Sequence, residues 1–177
     1  MELWEREISR ERMYEGKIFT VDHLQVELPN GRVAGRDVVN NADAVAVVAL
    51  DGLENVLMVR QYRVAAESVL TEIPAGKLDA GEDPETGALR ELREETGCVP
   101  GKLTYLFGLR MTPGCVTETI HIYLAEDLSF TDTAPDEDEF LEILRVPLKD
   151  ALAQVMDGTL CDGKTAAGIL AAAQRRR

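Results

Sequence analysis

Glu91, Glu94 and Glu95 fall in one stretch of helical pattern, close enough together to act on one cation. Glu91 and Glu95 are four residues apart and Glu94 is three from Glu91, so on a helix the three carboxylates share one broad face. Like charges at that spacing repel by a few tenths of a kcal/mol per exposed pair, roughly. Glu94 and Glu95 also lie in the last turn before Gly97, where the helix dipole disfavours anions. Arg90 and Arg93 offset part of this. The arrangement is poor for helix stability and well suited to gathering hard oxygen ligands around a divalent cation. Taken alone, such a helix also reads as a solvated surface helix of mixed charge. No His or Cys cluster points to zinc. His23 and His121 are isolated on strand-like segments and read as structural histidines.

Several elements must position those acids. Asp83 followed by Pro84 is an N-cap and first-position pair, and Gly97 suits the residue past a helix end. Ala88 and Leu92, with Leu89 beside them, form the opposite apolar face, so the helix is expected to dock with its acids toward a cleft or solvent. Upstream, the residues from Ile18 to about Asn41 alternate in strand fashion around Pro29-Asn30-Gly31, a hairpin signal. A hairpin alone is marginal in water, so it must pack on the main domain or on another subunit. Ala42 to Leu50 is almost continuously apolar and reads as a strand buried on both faces. Further strands are expected at Val56–Val64, Leu70–Ala75, Leu103–Leu109, Ile120–Leu124 and Glu142–Val146, and helices at Lys149–Met156 and Thr165–Gln174. The fold class is α/β: an α/β/α sandwich around a mixed sheet, with an N-terminal antiparallel strand extension over residues 1–41 and the main domain over 42–177.

The loop before the helix sharpens the reading. From Gly76, five residues lead to Glu82, seven more to Arg90-Glu91, then Leu92, Arg93, Glu94-Glu95, Thr96, Gly97 and Cys98. This resembles the Nudix hydrolase signature, G-x5-E-x7-R-E-U-x-E-E-x-G-U with U apolar, at every specified position. The resemblance implies that Glu91 and Glu95, helped by Glu94, bind Mg²⁺ or Mn²⁺, with the Ala75 carbonyl as a further oxygen ligand. It implies that Glu82 pairs with Arg90 to fix the loop on the helix. Gly76 and Gly81 are expected to permit an unusual loop backbone. Attack of water on a pyrophosphate builds charge on phosphate oxygens, which divalent cations neutralise.

Downstream, Thr112-Pro113-Gly114 precedes Cys115-Val116-Thr117-Glu118, with Pro113 fifteen residues beyond Cys98. The offset resembles the proline that marks ADP-ribose pyrophosphatases, with Thr112 in place of the usual Ser. The runs ELPNGRVAGRDVV, VRQYR, EIPAGKLDAGE, DEDEF and CDGKTAAGIL also look like the bacterial branch of that group. The resemblance implies that Arg36 and Arg63 grip the adenosine half and its phosphate, that Pro113 and Gly114 shape the substrate pocket, and that Glu118 bonds ribose hydroxyls. By composition, Asp136–Glu139 is a solvated charge run. By resemblance, Glu137 is the base for the attacking water and Glu139 an additional metal contact. The N-terminal strands are expected to exchange between two subunits of a homodimer.

Lys plus Arg is 19 against 32 for Asp plus Glu, a net charge of −13. That balance argues against nucleic acid or an anionic membrane as partner. Three separated cysteines, Cys98, Cys115 and Cys161, suit a reducing compartment and read as small core residues. The N-terminus has no apolar core of a signal peptide, and a cytoplasmic location is expected. The expected activity is metal-dependent hydrolysis of ADP-ribose to AMP and ribose 5-phosphate. The alternatives are another ADP-sugar or GDP-mannose as substrate, or a non-catalytic ADP-ribose sensor.

Overall fold

The uninterrupted apolar run Ala44–Leu50 forms strand β4, and all seven of its residues are buried, as a strand covered on both faces requires. In the computed structural model, which describes residues 3–132 and 140–176, β4 belongs to the larger of two compact bodies. That body comprises Ala44–Leu109 and Ile120–Arg177; the smaller one comprises Met1–Asp43 and Arg110–Thr119.

In the larger body, β4 is joined by β5 (Asn55–Arg63), β6 (Ser68–Glu72), β7 (Ala75–Lys77), β8 (Cys98–Leu109), β9 (Ile120–Phe130) and β10 (Glu142–Pro147). The strand order is β10-β5-β4-β9-β8, with β6 added on β5 and β7 on β4. Only the β4–β9 pairing is parallel among these, so the sheet is mixed. Side-chain alternation along β4 then divides the core. Ala44, Ala46, Val48 and Leu50 pack with Met58, Ile122 and Ile169 on the side of helices α2 (Leu148–Met156) and α3 (Gly163–Arg175). Val45, Val47 and Ala49 pack with Leu57, Tyr123 and with Ala88 and Leu92 of helix α1 (Pro84–Thr96). This is the expected α/β/α layering. No helix among the described residues is long and apolar enough to cross a membrane.

The stretch read as one strand, Leu70 to Ala75, is two. It breaks at Ile73-Pro74, because proline cannot donate to a ladder. The break moves the chain from the edge of β5 to β4, where Ala75 and Gly76 pair with Ala46 and Val45. Two backbone positions of the expected cation site are thereby placed beside the central strand.

In the smaller body, β2 (Phe19–Glu27) and β3 (Val33–Asn41) form the expected hairpin, turning at Gly31 with φ +79°. A third strand, β1 (Arg6–Glu15), is not evident from the sequence: all ten of its residues are exposed, so it has no core face to read. Antiparallel pairing to β2 holds it, together with ion pairs from Arg10 and Arg12 to the buried Asp22. The hydrogen bonds from Arg12 and Arg10 keep the Asp22 carboxyl below its usual range. The segment 110–119 binds the other edge. Val39 N–H donates to Cys115 O at 2.7 Å and Thr117 N–H to Val39 O at 3.1 Å. Of the cysteines only Cys98 is in the core, where burial pushes its thiol up to about 11. Cys115 and Cys161 are exposed in loop segments, contrary to the reading of all three as core residues.

Candidate active site

Helix α1 begins and ends where its sequence requires. Asp83 accepts hydrogen bonds from the Glu85 and Thr86 amides, each at 3.1 Å. Gly97, at φ +67°, closes the helix with its N–H on Arg93 O at 2.8 Å. These caps set Glu91, Glu94 and Glu95 in the last turns. Ala88 and Leu92 are buried, but Leu89 is 39% exposed rather than part of the docked face. Glu95 is only 3% exposed. A buried carboxylate needs partners, and the Ala75 amide donates to its Oε2 at 3.1 Å.

Gly76 explains how close the loop comes to the helix. A Cβ placed there would lie 2.0 Å from the Glu91 Cδ and 2.1 and 2.2 Å from its two oxygens. The expectation that Gly76 is needed for backbone freedom is corrected: it lies outside the left-handed region, and what it provides is room for the Glu91 carboxylate. Gly81, at φ +81°, does have the unusual backbone.

Arg90 ties the loop to the helix with all five of its N–H donors. Its Nε and Nη2 fork onto Glu82 at 2.9 and 2.8 Å, and Nη2 also reaches Lys77 O at 3.0 Å. Its Nη1 donates to Glu91 at 2.8 Å and to Glu94 at 3.1 Å. Glu82 in turn accepts from the Asp79 amide at 3.0 Å. The Arg90 fork, then the Asp79 amide, hold the Glu82 carboxyl down at about 2. The same carboxylates hold Arg90 firmly protonated.

The donor set fits a hard divalent cation. Glu91 and Glu95 press on Gly76 and Ala75 respectively, so two carboxylates and the adjoining backbone offer oxygen alone. Among the described residues no three acidic, imidazole or thiol groups close around a single point. Glu91 and Glu94 turn to Arg90, and Glu95 to the Ala75 amide.

Arg63, at the end of β5, makes a contact that its sequence position does not announce. Its Nε and Nη2 fork onto Glu72 at 2.8 and 2.9 Å. Glu72 is 1% exposed and also takes the Lys164 ammonium. Lys164 bonds Asp162 at 3.0 Å, and Asp162 caps α3 through the Thr165 amide at 3.0 Å. Burial alone would push the Glu72 carboxyl up; hydrogen bonds from Arg63 and the charge of Lys164 outweigh it and hold it at about 2. Glu72, Lys164 and Asp162 are absent from the sequence-derived site. The available signal is a lone acid in the mostly apolar stretch Val69–Pro74.

The remaining candidates belong to the smaller body. Arg36, on β3, forks onto Glu5 at 3.0 and 2.6 Å. Pro113 and Gly114 form a turn in which the Cys115 and Val116 amides donate to Thr112 O at 3.1 and 3.0 Å. Glu118 accepts from Asn41 Nδ2 at 3.5 Å. His23 is a satisfied strand histidine, with Asp37 at 2.7 Å and Gln25 at 2.9 Å. Glu137 and Glu139 lie outside the described residues.

The chain is similar to several known proteins. The family model described as NUDIX domain matches residues 40–164. An ADP-ribose pyrophosphatase of Bacillus subtilis (strain 168) is 43% identical over 169 residues, covering 94% of this chain and 91% of the relative. A methanol dehydrogenase activator of Bacillus methanolicus is 40% identical over 163 residues, covering 91% and 88%. A solved structure described as an ADP compounds hydrolase superposes with a TM-score of 0.80 at 26% identity, covering 98% of this chain and 95% of that one.

Proposed function

The chain belongs to the Nudix family, and from that premise we propose that it hydrolyses ADP-ribose to AMP and ribose 5-phosphate by attack of water at phosphorus. One observation supports the reading most: Arg90 forks onto Glu82 while Glu91 and Glu95 lie against the Gly76–Ala75 backbone. The loop is thus clamped on the helix with carboxylates facing one stretch of main chain. Glu91, Glu95 and the Ala75 carbonyl would hold the divalent cation, Mg²⁺ or Mn²⁺. When bound, the cation neutralises the diphosphate and lowers the pKa of the attacking water.

The chain's own residues do the rest. Arg90 spreads one positive charge over Glu82, Glu91 and Glu94, which offsets the mutual repulsion of adjacent carboxylates. Arg63 is anchored on one edge by Glu72, and its second edge is suited to a phosphate oxygen. Glu137 is assigned as the base that takes the proton from water, and Glu139 as a further cation contact. Arg36, Glu118 and the Pro113–Gly114 turn keep the substrate-recognition roles that the family resemblance gives them. The working form is a cytoplasmic homodimer built through the N-terminal strands; the ADP-ribose pyrophosphatase name of the Bacillus subtilis relative supports the substrate.

Turnover of ADP-ribose, ADP-glucose and GDP-mannose, compared with Mg²⁺ and with Mn²⁺, tests the assignment. A preference for ADP-ribose with release of AMP is expected. Preference for GDP-mannose would overturn the substrate, and no turnover of any of the three would overturn the enzyme.

A further inference from the structure

A buried ion pair rarely justifies itself by stability, because desolvation offsets much of the attraction and an apolar pair of similar volume is often as good. Glu72 is such a case. Its side chain is 2% exposed, yet it meets two cations, Arg63 from 9 residues before it and Lys164 from 92 residues after it. Lys164 comes from the first turn of α3, a position secured by the Asp162 cap and by the Thr165 hydroxyl, which accepts from the Ile73 amide at 3.0 Å. Ile73 directly follows Glu72, so the backbone at the carboxylate is pinned to the helix that supplies the lysine.

Arg63 is different. Its side chain is 42% exposed, and only its Nε and one Nη2 hydrogen face Glu72. Both Nη1 hydrogens and the second Nη2 hydrogen point away from that carboxylate, as the planar fork dictates. Asp162 pairs with Lys164, so two cations and two carboxylates form one chain whose exposed end is Arg63. A flexible arginine would lose rotamer freedom on meeting a phosphate; this one has lost it already.

We propose that Glu72 is a positioning residue: locked by Lys164 and the α3 N-terminus, it orients the Arg63 guanidinium so that its outer edge meets a phosphate oxygen of the substrate. The inference rests on the reading of Arg63 as a substrate-gripping cation and adds what holds it in place. Lys164, itself held by Asp162, fixes the Glu72 carboxylate in place. The C-terminal helix therefore contributes to substrate binding through a chain of two side chains.

The test is a double-mutant cycle in the full-length protein, with kcat and KM for ADP-ribose and the melting temperature measured for each variant. Glu72→Gln in the otherwise native protein should raise KM about tenfold or more, with a smaller fall in kcat, as expected for loss of a charge-assisted contact. Glu72→Asp should fall between the two. In an Arg63→Ala background the KM effect of Glu72→Gln should vanish, because nothing remains to orient. An equal KM increase in both backgrounds, or an unchanged KM in folded Glu72→Gln, overturns the proposal. If Glu72→Gln does not fold, Lys164→Met replaces it in the same cycle: a severalfold KM increase that depends on Arg63 supports the proposal, and its absence refutes it. Wild-type KM in Arg63→Ala would instead refute the role of Arg63 and the proposal with it, and no ADP-ribose turnover by the native protein would refute the function itself.

Discussion

Replacing Gly76 by alanine should separate catalysis from folding. The added Cβ would stand 2.0 Å from the Glu91 Cδ, whereas carbon atoms in ordinary contact sit about 3.5 Å apart. The carboxylate must therefore retreat by about 1.5 Å. It can do so, because it is the mobile end of a long side chain and the Gly76 backbone lies outside the left-handed region. Stability should change by no more than about 1 kcal/mol. Activity should not survive so well. A displacement of about 1 Å in a positioned group can cost on the order of a hundredfold in rate, about 2.7 kcal/mol of barrier. The assay is kcat/KM for ADP-ribose with saturating Mg²⁺, beside thermal unfolding followed by circular dichroism. A loss near a hundredfold with little change in melting temperature is expected. Activity within threefold of the native protein would refute the reasoning, since Glu91 would then not need the place that Gly76 leaves for it.

Gly97→Ala should act the other way, on folding: at φ +67° a Cβ would lie 2.3 Å from the Thr131 carbonyl, and such strain costs on the order of 1–3 kcal/mol, read as a melting temperature lower by several degrees. Glu72 and Glu82 are both held at about 2, below the ordinary glutamate value of 4.5. Their contribution to stability is therefore complete above about pH 4.5 and is lost as the pH falls toward 2. Urea unfolding across that range should give a shallower pH dependence for Glu82→Gln than for the native protein, and identical slopes would contradict the assignment. Removing divalent cations with EDTA should abolish ADP-ribose hydrolysis and added Mg²⁺ should restore it; full activity in chelator would argue against a cation-dependent reaction.

Local signals were the legible ones. The Asp83-Pro84 start and Gly97 stop of α1, the all-apolar β4 and the hairpin turn before β3 each depend on neighbours in sequence, and each lies where expected. What escaped depends on partners far along the chain or on exposure. β1 has no buried side, so its alternation carries no core signal; a ladder to β2 and two arginines on Asp22 hold it. Glu72 and Lys164 are 92 residues apart, and no local pattern joins them. Leu89 sits beside the apolar stripe of α1 yet faces outward, because one helical step of about 100° is enough to leave the buried arc. For Gly76 the residue type was informative and the reason was not: a sequence cannot tell a glycine kept for its backbone from one kept for the space it leaves.

The proposed grasp of divalent cations by the α1 carboxylates and the Ala75–Gly76 backbone of β7 serves attack on a diphosphate. Its most direct measurement is Mn²⁺ binding by electron paramagnetic resonance, with a non-cleavable ADP-ribose mimic present, in the native protein and in a Glu91→Gln/Glu95→Gln variant. Stoichiometric, saturable Mn²⁺ binding by the native protein and its loss in the folded variant are predicted. Equal binding by both proteins, or none by the native one, would contradict it.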